Sequence, residues 1–113
     1  MSDPLGIITA SIPNAGSITP AIDLGAFRAG RIHIPAAWTA AALTFQVSAD
    51  GSTYGDLFDN TGVEYTAQAA AGRAVLLPLI DFLGMRYLKI RSGPTAAPVA
   101  QAAQRDLVIQ LVP

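Results

Sequence analysis

Few side chains in this sequence can do chemistry, and those few are not spaced as a reaction needs them. His33, the one histidine, sits in Arg31-Ile-His-Ile34 with no cysteine in the chain and no carboxylate run beside it. That context reads as a structural or solvent-facing imidazole rather than a general base or metal ligand. Asp50, Asp56, Asp59 and Asn60 cluster and could offer oxygens to calcium. Their spacing does not match the EF-hand loop, and turn chemistry alone accounts for Asp50, Asp59 and Asn60. There is no Gly-x-Ser-x-Gly elbow for a serine nucleophile, and no glycine-rich loop ending in Gly-Lys-Ser/Thr. Asp56 and Glu64 can be paired on paper as glycosidase carboxylates, but so can two acids in any sequence. The expectation is a protein with no catalytic residues, cofactor or metal ligands.

The remaining candidates could recognise rather than react. Trp38, Tyr54 and Tyr87 could stack on sugar rings if they shared an open face. The commoner role of these rings, and of Tyr65, is at core edges and in cross-strand pairs. Arg86 and Arg91 are expected as cross-strand ion-pair partners of Asp or Glu, not as an anion site.

Charge is the informative part of the composition. Charged residues make up 13% of the chain and hydrophobic residues 51%, against about 25% charged in an ordinary globular domain. Seven basic and eight acidic residues leave a net charge of −1, which gives little colloidal repulsion. Much of the exterior should therefore be small, neutral and partly apolar, a surface suited to contact with other protein. The same balance argues against a nucleic-acid partner, which would require a cationic excess. Met1-Ser-Asp-Pro4 lacks a basic and then apolar leader, and no apolar run reaches the ~18 residues of a membrane span. No membrane partner is expected. Without cysteine there are no disulfides, but a chain of this length can bury a core without them.

These side chains must be positioned by strands. Leu43, Phe45 and Val47 alternate with Thr44, Gln46 and Ser48, which predicts a strand with one buried face. Asp50-Gly51 supplies a tight turn and Tyr54 to Phe58 the return strand. Further strands are expected at Leu5 to Thr9, at Ile18 to Leu24 (edge or bent, because of Pro20), and at Phe27 to Ile34. Val63 to Thr66 and Met85 to Arg91 follow, with Leu107 to Val112 closing the chain. Arg73 to Leu79 is a continuous apolar run, expected to be buried on both faces and ended by Pro78, with Asp81 to Gly84 a tight corner. Pro35 to Ala42 is a connection, in which Trp38 caps one end of the core. The segment 92–105, rich in Pro, Ala and Gln, is long for a compact domain and reads as a binding or disordered loop. About eight short strands and no helical period predict an all-β, antiparallel sandwich of jelly-roll type, one domain over residues 1–113.

Two stretches carry a resemblance. Ile34-Pro-Ala-Ala-Trp-Thr-Ala-Ala-Ala-Leu-Thr-Phe-Gln-Val-Ser-Ala-Asp-Gly51 is one. The other is Arg86-Tyr-Leu-Lys-Ile-Arg-Ser-Gly93, leading into Ala97-Pro-Val-Ala-Gln101. They resemble small virion structural proteins encoded by tailed phages and prophages. More loosely, Ser48-Ala-Asp-Gly51 with Arg86 to Arg91 is similar to discoidin-like (galactose-binding-like) sandwiches. The first resemblance implies a location, the virion, for a protein made in the bacterial host cytoplasm. It also implies a role as a capsid decoration (cement) protein or head-spike base. Its expected partners are sister copies, as a homo-oligomer with a trimer expected, and the major capsid or other virion proteins. Pro94, Pro98, Val99, Gln101 and Gln104 are then the expected partner contacts. The alternative is a carbohydrate-binding module of a tail or spike, taking host polysaccharide on Trp38, Tyr54 and Tyr87.

Overall fold

The computed structural model describes residues 6–77 and 85–112. Eight strands carry the described chain: β1 Gly6–Ile12, β2 Ile22–Asp23, β3 Arg28–His33, β4 Leu43–Ser48, β5 Gly55–Asp56, β6 Ala74–Leu76, β7 Tyr87–Ser92 and β8 Arg105–Val112. They form two four-stranded antiparallel sheets, one in the order β1-β8-β3-β6 and the other β2-β7-β4-β5. The pairing is nested. β1 pairs with β8, β2 with β7, β3 with β6 and β4 with β5. The chain is thus one long hairpin, its tip between β4 and β5, rolled into a sandwich. This is the jelly-roll topology expected from the spacing of the strands.

Alternation explains the layers. Along β8, Leu107, Ile109 and Leu111 point inward, between the outward Asp106, Val108, Gln110 and Val112. β4 contributes Leu43 and Phe45, and β7 Leu88 and Ile90, all fully buried. Ile12, Leu24, Ala29 and Ile32 complete the centre of the core. A slip of one residue in any of these strands would turn its apolar set toward water, so the burial pattern itself holds the register. A bulge at Gly30, where the register shifts between Ala29 and Arg31, keeps both Ala29 and Ile32 facing inward.

Several local expectations change. The Asp50-Gly51 turn is not a two-residue turn: Val47 pairs with Gly55, so residues 49–54 form a wider tip. Asp50 Oδ1 organises it by accepting the backbone amides of Ser52 and Thr53 at 2.8 and 2.9 Å. The return strand shrinks to Gly55–Asp56, and Val63 to Thr66 is no strand but an excursion fastened by the bridges Phe58↔Glu64 and Leu43↔Ala67. β2 likewise keeps only two residues. The apolar run beginning at Arg73 is not buried on both faces. Its strand β6 is an edge, so Val75 faces the core while Leu76 is 72% exposed. Leu5, Pro78 and the corner Asp81 to Gly84 lie outside the described residues.

The long connection between β7 and β8 is ordered by two local devices. Gly93 turns the chain with φ +87°, and Val99 N then donates to Ser92 O at 2.8 Å. A Cβ on Gly93 would stand 2.7 Å from Val99 N. Gly93→Ala therefore meets both a left-handed backbone and a backbone clash. It should cost about 2 kcal/mol or more in urea denaturation, with the far-ultraviolet circular dichroism of the folded state unchanged. A loss within experimental error would contradict the geometry.

Candidate functional site

Most of the reactive groups singled out from the sequence are occupied inside the fold. His33 Nε2 lies 2.7 Å from Gln110 Oε1 across the β3–β8 pair, on the outer face of the first sheet. Asp50 and Asp59 each fold around their own turn. No group of three or more His, Cys, Asp or Glu side chains among the described residues could hold a metal ion.

The arginines behave as cross-strand partners. Arg86 forms an exposed ion pair with Asp23 at 2.9 Å. Arg91 does more, because β7 turns it onto the outer face of the second sheet and that face is covered there. Its side chain is only 6% exposed. Nε donates to Thr44 Oγ1 at 2.9 Å, Nη1 to Asp56 Oδ1 at 3.1 Å, and Nη2 to Glu64 Oε2 at 3.4 Å. Thr95 bonds both the guanidinium and the Glu64 carboxylate. The residues that a sequence search could pair as catalytic acids, Asp56 and Glu64, are thus the two arms of a structural ion-pair cluster.

Gln101 has a parallel role at the end of the sandwich where β4 begins. Thr39 N donates to its Oε1 at 2.9 Å and its Nε2 donates to Thr39 O at 3.1 Å. Its backbone exchanges bonds with Ala15 N and Gly16 O. One residue therefore ties the connections 13–21, 34–42 and 93–104 together. Of the five expected contact residues, Gln101 is 1% exposed and faces inward, because this amide pairing consumes it. Pro94, Pro98 and Gln104 are exposed and Val99 is half-buried, so the loop presents its prolines outward.

The three expected stacking rings do not make one platform. Trp38 packs against the core at the Leu43 end of β4 and donates Nε1–H to Ala41 O at 3.2 Å. Tyr87 pairs with Ser48 at the opposite end of that strand. Tyr54 and Tyr87 each hold one of the protein's own cations against the ring: Lys89 at 4.4 Å and Arg86 at 5.0 Å.

What the sequence reading missed, among the described residues, is the set of exposed large apolar side chains: Ile7 at 69%, Phe58 at 51%, Val63 at 61% and Leu76 at 72%. The register Ile7↔Gln110↔Arg31↔Leu76 places two of them at the edges of the first sheet's outer face. Phe58 and Val63 flank the turn 59–62 on the excursion from the second sheet. Charge divides between the same surfaces. Arg28, Arg31 and Arg73 lie on or beside the first sheet without a carboxylate partner among the described residues. Asp23, Asp50, Asp56, Asp59 and Glu64 lie on or beside the second, which also carries Arg86, Lys89 and Arg91, while Asp106 is the described carboxylate of the first.

Two outcomes follow. Arg91→Ala strands two carboxylates against a covered face and should cost about 3 kcal/mol in urea unfolding. The loss should be smaller when Asp56→Asn and Glu64→Gln are added, and equal losses would argue against the cluster. The second outcome concerns acid. Asp50 is held at about 2, chiefly by the Thr53 and Ser52 amides. Asp59 is lowered by the Thr61 hydroxyl and the Val63 amide, Asp23 by Arg86, and Asp106 by the Ser11 hydroxyl. Burial pushes Asp56 up, but the Gln46 amide and Arg91 guanidinium outweigh it, and its value is also lowered. Carboxyls depressed in the folded state stabilise it fully above their unfolded pKa of about 3.9, and lose that contribution as pH falls through their folded values. The urea midpoint should hold from neutral pH to about 4.5 and fall between about 4 and 2. A midpoint flat down to the bottom of that range would contradict these assignments.

No family model, no curated protein and no solved structure matches this chain.

Proposed function

We propose that this protein is a non-enzymatic structural subunit of a phage virion, a capsid decoration protein or head-spike base that binds sister copies and the capsid shell. The observation that carries the reading is the placement of its large apolar residues. Four of them among the described residues stand in solvent on two separate surfaces, while the buried polar side chains Arg91 and Gln101 are spent on internal cohesion. That is the arrangement of a rigid block with surfaces to be covered, not of a cleft with convergent polar groups. The virion assignment rests on the phage resemblance of Ile34 to Gly51, Arg86 to Gly93 and Ala97 to Gln101. The jelly roll is also an architecture that capsid proteins use, although it serves lectins as well. The exposed Pro94 and Pro98 loop supplies a pre-stiffened contact to the shell. Repetition over a lattice would let weak contacts add through avidity.

Sedimenting the purified protein with and without capsids of a phage that encodes it tests the assignment. Saturable co-sedimentation at a fixed stoichiometry is expected, weakened by Pro94→Ala with Pro98→Ala. Absence of capsid association, together with saturable binding on a glycan array, would replace this reading with the carbohydrate-binding one.

A further inference from the structure

The two exposed apolar surfaces differ in shape as well as in charge. On the first sheet, Leu76, Leu77, Leu111 and Val112 wall an open cavity of about 240 Å³, with Arg31 and Gln110 at its polar side. Apolar cavities of roughly 150 Å³ already hold a benzene ring, so this one has room for a phenyl side chain. Arg31 is exposed and has no carboxylate partner among the described residues. On the second sheet's flank, Phe58 and Val63 project from the ends of the 59–62 turn. Asp59, between them, spends Oδ1 on the amides of Thr61 and Val63 and the Thr61 hydroxyl. Its Oδ2 has no hydrogen-bond partner among the described residues, and the Thr61 hydroxyl and the Val63 amide lower its pKa.

The projection and the cavity cannot meet within one molecule. The excursion that bears Phe58 is fastened to β4 by Leu57 N→Phe45 O at 2.9 Å and to β7 through Glu64 and Arg91. The cavity's lining among the described residues comes from β3, β8, the β6 edge and the adjoining Leu77. An aromatic flanked by a free carboxylate oxygen complements an apolar cavity flanked by a free guanidinium.

We infer that copies of this chain associate head to tail, with Phe58 of one copy seated in the Leu76–Leu111 cavity of the next and Asp59 facing Arg31. This rests on the reading of the protein as an assembling subunit and adds the contact and its polarity. Such a contact is heterologous: each copy offers one projection and one cavity, so the series closes into a ring, of which a trimer is one case, or else grows as a filament. Burying a ring in an apolar cavity supplies affinity, and the charged pair supplies orientation.

Sedimentation velocity over about a hundredfold range of concentration reads the association. Phe58→Ser and Leu76→Asp both change exposed residues, so each variant should keep the wild-type urea midpoint. Each should weaken self-association by about tenfold or more. Arg31→Gln should weaken it less and flatten its dependence on salt. The deciding measurement is an equimolar mixture of Phe58→Ser with Leu76→Asp. The first keeps an intact cavity and the second an intact projection, so the mixture should yield particles of one copy each. A wild type that stays monomeric at every concentration overturns the inference. So does a mixture that stays monomeric, or either variant associating like wild type. Capsid co-sedimentation scores the broader function separately: a monomer that still binds capsids refutes only the head-to-tail contact, and an assembling protein that ignores capsids refutes only the virion assignment.

Discussion

The Arg91 guanidinium is the point on which the second sheet depends. It reaches Thr44 in β4, Asp56 in β5, Glu64 in the excursion and Thr95 in the long loop, all from one position in β7. Thr44 in turn donates to Gly93 O at 2.6 Å, which closes the cluster over the loop's turning glycine. β5 has only two residues and could not hold the sheet edge by its ladder bonds. The ion-pair cluster does that instead. A charge covered to this extent is tolerated because every arm of the planar fork has a partner.

Gln101 does for the end of the sandwich what Arg91 does for its face. An amide presents both a donor and an acceptor, so a single side chain can satisfy the N–H and C=O of Thr39 together. That pairing lets three irregular connections pack without stranding their backbone groups. The consequence for function is a division of surfaces: the end bearing Gln101 is sealed, whereas the outer face of the first sheet and the 57–65 excursion stay open. The balance of charge follows the same division: basic residues outnumber Asp106 on the first sheet, and five carboxylates outnumber Arg86, Lys89 and Arg91 on the second.

The sandwich was legible because the signals for it are local. Period-two alternation at Leu43–Ser48 and Leu107–Val112, together with turn residues at short intervals, is enough to indicate antiparallel layers. Arg91 was legible as an ion-pair donor for the same reason, since it shares the outward parity of Tyr87 and Lys89 in β7, whereas Arg86 stands just before that strand. The exposure of Leu76 and Phe58 was not legible. An apolar residue in sequence looks the same whether its strand is central or at an edge, and strand order is a long-range property. The inward turn of Gln101 was equally hidden, because its partner Thr39 lies 62 residues away.

Composition and alternation in the chain settled the class of fold, the approximate number of strands, the shortage of surface charge and the absence of a spaced catalytic motif. All of these follow from the side chains and their near neighbours. The tertiary structure decided which strands became edges, which polar groups were spent internally and which apolar groups were left facing water. Those outcomes depend on nested pairing between strands up to about a hundred residues apart, such as Gly6 with Leu111, and such contacts leave no trace in local periodicity.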